Sequence, residues 1–147
     1  MAIEIRKLGI GDEAVLARVA PGVFDEPVRP DLAERFLATP AYRIFVALDG
    51  DLVVGMATGF THFHPDKDEE FFVNELGVDD AYRRRGIGER LLRAILGEAR
   101  AMGCEAAWLG TERDNEPALA LYRKVMAGDD TEEPMSIFTY DVTADRA

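Results

Sequence analysis

At 147 residues the chain is long enough to bury a real core as one domain, and 48% hydrophobic with 31% charged residues is the composition of a folded, water-soluble protein. Lys and Arg number 17 against 28 Asp and Glu, and a net charge of −11 argues against nucleic acid as a partner, because neutralising phosphates takes a basic face. No stretch reads as a signal peptide or as an apolar run able to span a bilayer.

The single cysteine, Cys104, can form no internal disulfide, so a reducing cytoplasm is the default compartment. Its simplest role is that of a small residue packed between a helix and a strand. The acidic surface suits a cationic substrate, and serves solubility equally well.

In chain order, Ile3 to Leu8 alternates and predicts a first strand. Asp12 is placed to cap a helix running to Val19, with Val15, Leu16 and Val19 on one face. After the proline-broken PGVFDEPVRP, Asp31 is placed to cap a second short helix, DLAERFLAT, stopped by Pro40. Tyr42 to Leu48 predicts a strand, Asp49-Gly50-Asp51 a hairpin turn, and Leu52 to Phe63 the returning strand. HPDKDEE reads as a polar loop leading into a third strand of this group, FFVNELGV, which ends at the turn-forming pair Asp79-Asp80.

Next comes the stretch that organises the chain. Ile87, Leu91, Leu92, Ile95, Leu96, Ala99 and Met102 recur at three- and four-residue steps, the pattern of an amphipathic helix, with Arg90, Arg93, Glu98 and Arg100 on its opposite face. Gly103 ends it, AAWLGT predicts a strand, and Asn115 with Pro117 opens a last helix, PALALYRKV. GDDTEEP is an acidic turn, and MSIFTYDV predicts a closing strand. Strands and helices in this order imply a mixed sheet covered by helices.

Between the third strand and the amphipathic helix lies Arg83-Arg84-Arg85-Gly86-Ile87-Gly88. Glycines let backbone approach a ligand, and the first helical turn offers unpartnered N–H groups at the positive end of the helix dipole. With three arginines this is an anion site that fits a pyrophosphate. It is neither a P-loop, which needs a Gly-Lys-Ser/Thr ending, nor a dinucleotide fingerprint, which needs three spaced glycines.

Arg83, Gly86 and Gly88 stand instead as Arg-x-x-Gly-x-Gly, after a strand that carries Glu75, and at the far end Asn115-Glu-Pro-Ala-Leu-Ala-Leu-Tyr122 gives a second motif. Over nearly its whole length the chain resembles the GNAT family of N-acetyltransferases. Within it, PALALYRK and MSIFTYDV look most like the aminoglycoside 3-N-acetyltransferases. One departure is Met126-Ala127, where the family usually has Gly-aromatic after the tyrosine.

The resemblance implies an α/β, or α+β, fold of the acyl-CoA N-acyltransferase type in a single domain. Its central sheet is mixed and mostly antiparallel, with helices on both faces. It also implies acetyl-CoA as co-substrate, with pyrophosphate on the loop and pantetheine between the strand of Glu75 and the strand of Trp108. By the same resemblance, Leu76, Gly77, Val78, Arg83, Arg84, Arg85, Gly86, Ile87, Gly88 and Asn115 contact the cofactor, Asn115 having a helix cap as its alternative role.

Acetyl transfer to an amine needs a neutral nucleophile, a polarised carbonyl and a protonated leaving thiol. Glu75, a carboxylate in an otherwise apolar strand, is the candidate base, since burial makes a carboxylate more basic; a salt bridge to a loop arginine is the alternative. Gly77 within a strand points to a bulge or a close ligand approach. Tyr122 resembles the family's general acid, although a helical tyrosine taken alone is more often core.

Asp25 and Glu26, beside Phe24, sit in the loop where relatives receive the acceptor, and either could hold a cation, as Glu75 could. His62 and His64 share one face of a strand, a metal-like spacing, but the pattern places no third ligand, so no metal is assigned; a place at the border of the acceptor pocket is the alternative. The expected acceptor is a small cationic amine of aminoglycoside or polyamine type. The alternatives are a peptide or protein amine, or a non-catalytic acyl-CoA-binding module. As partners the reading implies a small-molecule amine, neither nucleic acid nor membrane, and it admits a homodimer.

Overall fold

The computed structural model describes residues 2–146. Five strands form one sheet in the order β1 (Ile3–Lys7), β2 (Tyr42–Asp49), β3 (Leu52–His64), β4 (Lys67–Val78) and β5 (Ala106–Trp108). Neighbours run antiparallel except β4 and β5, which are parallel. The helices are α1 (Pro30–Ala38), α2 (Ile87–Ala101) and α3 (Glu116–Val125). Among the described residues no helix is long and apolar enough to cross a membrane.

The sheet buries both faces, which is why β3 reads as an almost unbroken apolar run. On one face Ile44, Val46, Val53 and Met56 meet Leu16, Val23 and Ala33 from the preceding segments. On the other, Ala47, Val54, Ala57, Phe71 and Val73 meet the stripe of α2, whose Ile87, Leu91, Leu92, Ile95 and Ala99 are all buried. Each large side chain so covered contributes about 1.5–3 kcal/mol relative to exposure. Cys104 packs at the margin of this second cluster, and burial, followed by the charge of Glu69, pushes its thiol up, so it is no ready nucleophile.

The structure corrects several sequence expectations. The helix placed at Asp12 to Val19 is a single 3-10 turn, Glu13–Ala17. Asp12 turns backward, its Oδ2 accepting from the Gly9 amide at 2.8 Å, instead of capping forward, and Val19 bridges to Val53. α1 begins at Pro30, the position where a missing N–H costs nothing. Asp31 therefore lies inside the first turn and pairs with Arg29 at 2.6 Å instead of capping.

The polar loop HPDKDEE is mostly strand. β4 starts at Lys67, paired with His64, because a solvent-exposed hairpin end needs no apolar alternation to keep its backbone ladder. β5 stops at Trp108 and does not reach Thr111. MSIFTYDV forms no strand: Met135, Ile137, Phe138, Tyr140 and Val142 are exposed. Alternation supplies a face for a strand, but a strand exists only by pairing, and β5 is the last member of the sheet.

Glu98 also departs from its expected place on the polar face of α2. It is half-buried against the sheet, 3.0 Å from both Lys7 Nζ and Arg43 Nε, and so ties α2 to β1 and β2. Glu98→Ala is expected to lower unfolding free energy by about 2 kcal/mol, the loss of two charge-assisted bonds at a partly screened site. Urea denaturation measures this; a change below about 0.5 kcal/mol would rank both pairs with ordinary surface ion pairs.

Candidate active site

β4 and β5 are paired only where Glu70, Phe71 and Phe72 face Ala106, Ala107 and Trp108. Beyond Phe72 they part. β4 continues through Val73–Val78, while Leu109, Gly110 and Thr111 leave the sheet, and a cleft of about 830 Å³ opens between them. The backbone groups that β4 would otherwise pair with β5 face this cleft.

Two irregularities of β4 set what the cleft presents. Thr58 pairs with Glu75 but Gly59 pairs with Val73, so Asn74 is a bulge residue, and the bulge re-aims Glu75. Glu75 is exposed on the cleft wall, not buried as expected. It makes no salt bridge to a loop arginine; its Oε2 accepts from the Thr58 hydroxyl at 3.1 Å. Thr58 is itself buried, alone among the described polar residues, and a threonine set in the apolar first half of β3 was the available signal for a residue the motif reading passed over. At Gly77 the close approach comes from the chain itself, since a Cβ there would lie 2.4 Å from the Val23 carbonyl oxygen. The loop before α1 is thereby pressed against β4, and it brings Gly22, Val23 and Asp25 to the cleft.

At the mouth of α2 the backbone is set in an unusual conformation. Gly86, the residue before the helix, has φ +76°, and Arg84 has φ +62°, a left-handed conformation that arginine seldom adopts. The amide of Arg90 takes up the Gly86 carbonyl, which leaves the preceding amides of the first turn without helical partners. Arg83, Arg84, Gly86, Ile87 and Gly88 line the cleft, as do Leu76, Gly77 and Val78 from β4.

Arg85 does not. Its guanidinium lies 5.1 Å from the centre of the Tyr82 ring, and the Tyr82 hydroxyl donates to Asp49, which raises that phenol's pKa. Arg83 is shared with Asp80 at 3.1 Å. Asp79 accepts from the amides of Gly22 and Ala81, one on each carboxylate oxygen, and so fastens the loops on either side of it.

The far wall belongs to α3. Asn115 caps it, Oδ1 accepting from the Ala118 amide at 3.2 Å, and also borders the cleft. Tyr122 is half-buried at the same cleft, and burial alone raises its phenol above the ordinary value. Lys124 pairs with Glu89 Oε1 at 2.9 Å, lowers the Glu89 pKa and links α3 to the first turn of α2. Neither residue was singled out from sequence, because their meeting depends on how the two helices cross.

The cleft thus gathers Asp25, Glu75, Tyr122, Asn115 and the loop before α2, and leaves out Glu26, Arg85, His62 and His64. An anion-accepting helix start, a carboxylate and a phenol on one cleft can hold a phosphorylated ligand, take a proton and return one.

Residues 5–127 match the family model described as the acetyltransferase (GNAT) family. The N-alpha-acetyltransferase RimI of Mycobacterium tuberculosis is 41% identical over 103 residues, 70% of this chain and 63% of that protein. The chain spans a smaller share, 27% and 25%, of two further curated relatives. An aminoglycoside acetyltransferase from an uncultured soil metagenomic sample, solved with trehalose, superposes with a TM-score of 0.76 at 21% identity, covering 95% of this chain and 97% of the other. An aminoglycoside N-acetyltransferase solved with CoA gives a TM-score of 0.73 at 18% identity, covering 95% of each chain. At such identities the two structures establish the fold, and the family match over most of the chain establishes membership: this protein belongs to the GNAT acetyltransferase family.

Proposed function

We propose that the protein is an acetyl-CoA-dependent N-acetyltransferase that acetylates a primary amine directly, with Glu75 as base and Tyr122 as acid. The observation that carries this is the meeting of Glu75, Tyr122 and the Arg83–Gly88 loop on one cleft. The residues present fit the co-substrate. Arg83, Arg84 and the amides at the start of α2 suit its pyrophosphate, and the parted edge of β4 offers backbone groups to pantetheine. When bound, acetyl-CoA supplies an activated thioester, so that a C–N bond forms as the C–S bond breaks.

Glu75 takes the proton from the attacking nitrogen, directly or through water, and Thr58 holds the carboxylate by its hydroxyl. A backbone N–H of the Leu76–Val78 edge polarises the carbonyl. Tyr122 delivers its proton to the departing sulfur. Its phenol, raised further above the ordinary value by burial, is protonated through neutral pH, as that role requires. For stability the sign is simple. Near neutrality folded and unfolded chains both keep this proton, so the shift contributes nothing. Above the ordinary phenol value of about 10 the unfolded chain ionises first, and stability falls as pH rises.

Asp25 and Glu75 place two carboxylates on the cleft, which favours a cationic acceptor of the polyamine or aminoglycoside kind. The 41% identity to an N-alpha-acetyltransferase favours a second reading, in which a peptide N-terminus is the acceptor. Thiol release from acetyl-CoA over a panel of aminoglycosides, polyamines and peptides with free N-termini tests both. Turnover on peptides alone would reject the small polycation, and no turnover on any amine would leave an acyl-CoA-binding module.

Tyr122→Phe is expected to leave acetyl-CoA binding nearly unchanged and to lower kcat roughly a hundredfold, the lower end of general acid–base effects. Calorimetric binding and steady-state rates on the same preparation separate the two quantities. Unchanged turnover would return Tyr122 to a packing role.

A further inference from the structure

His62 and His64 were a metal-like pair without a third ligand; the fold supplies it. Glu70 lies directly opposite His62 in the β3–β4 ladder, and the register shift between His62 and His64 turns the second imidazole toward the same carboxylate. His62 Nε2 is 3.5 Å and His64 Nε2 is 3.9 Å from one atom, Glu70 Oε2. Ligand atoms of all three residues fall within 4.8 Å of one another. From these convergent groups we infer a binding site for a zinc-class divalent ion at the far end of the β3–β4 hairpin, held by His62, His64 and Glu70.

The distances carry the argument. A tetrahedral zinc with bonds near 2.0–2.1 Å sets its ligand atoms about 3.3 Å apart. The His62 edge already lies within about 0.2 Å of that value and the His64 edge within about 0.6 Å, and both are too long to be hydrogen bonds. The remaining adjustment falls to His64, which is exposed and free to rotate. His62 is held more firmly, between the rings of Phe60 and Trp108 at 6.1 and 6.4 Å. Neither of its nitrogens is claimed by the described residues: Nδ1 is buried without a partner, and Nε2 faces Glu70 beyond hydrogen-bonding length.

Two imidazoles and a carboxylate select zinc, nickel, cobalt or copper over magnesium and calcium. Three protein ligands leave a fourth position open to solvent. Asp66, Lys67, Asp68 and Glu69 line the adjoining hollow with His64; Lys67 pairs with Asp66 at 3.0 Å, and the remaining two carboxylates favour a dication.

The site lies four residues along β3 from the Thr58–Glu75 pair, about 13 Å at strand rise, and outside the catalytic cleft. It therefore takes no part in acetyl transfer. Glu70 is also the residue where β5 begins to pair, at Ala106, so an ion here would clasp the hairpin end that carries the outer strand.

Zinc titration of the untagged, chelator-treated protein by calorimetry at pH 7.5 tests the site. One ion per chain with micromolar or tighter affinity is expected, together with a higher melting temperature in zinc and a tetrahedral absorption spectrum with cobalt. His64→Ala and Glu70→Gln should each weaken zinc binding tenfold or more. Both should keep the wild-type melting shift with acetyl-CoA, which confirms that they fold. Absence of saturable binding would overturn the site. Unchanged affinity in both variants would overturn it as well, by moving the ion elsewhere.

Discussion

Gly86→Asp is expected to abolish the thermal stabilisation that acetyl-CoA gives the wild-type protein. A ligand at about 100 times its Kd stabilises the native state by about 2.7 kcal/mol, and binding weakened a hundredfold leaves about 0.4 kcal/mol. Two effects act together at this position. Its φ of +76° strains any side chain, and an aspartate places a negative charge where the first turn of α2 and the arginines present positive potential. No atom lies within 4 Å of a Cβ built there, so the fold should survive. Gly86→Ala carries the strain without the charge and is expected to keep part of the shift. Melting curves with and without acetyl-CoA decide the matter, and a full shift in the aspartate variant would move the pyrophosphate to another place.

Glu75→Gln should lower kcat at neutral pH by roughly 10²–10³-fold, within the range for removal of a general base. Glutamine keeps the shape and an oxygen for the Thr58 hydroxyl to donate to, but it cannot take a proton. Part of the rate should return as pH rises, because an amine with a pKa near 10 then loses its proton to solvent. Rate measurements from pH 6 to 10 test this. If the loss falls on KM with kcat retained, Glu75 holds the acceptor's charge and some other group is the base. If neither constant moves, the carboxylate is structural. The base must then be sought elsewhere, and Asp79 and Asp80 are poor candidates because loop amides and Arg83 occupy them.

Local chemistry was legible where it is self-contained. The stripe of α2, the stop at Gly103, the Asn115 cap and the Asp49-Gly50-Asp51 turn are settled within a few residues of chain, and each stands where periodicity and capping rules put it. The turn before α2 was legible for the same reason, since a glycine with positive φ before a helix is a local device. Segments that depend on a distant partner were not. HPDKDEE is polar yet pairs as strand, and MSIFTYDV alternates yet pairs with nothing, because ladder hydrogen bonds are made between strands and leave no mark in composition.

The sequence by itself determined that this chain carries a strand, an arginine- and glycine-rich turn and an amphipathic helix, the elements that form one wall of the cleft. Only the tertiary structure decided which residues meet there. It admitted Asp25 and Thr58, turned Arg85 onto Tyr82, left Glu26 outside, and set Glu70 against the two histidines. The physical reason is that the site is made where β4 and β5 part and where helices cross. Such junctions are fixed by sheet register, one bulge at Asn74 and the packing of Gly77 on Val23, contacts between residues far apart in the chain.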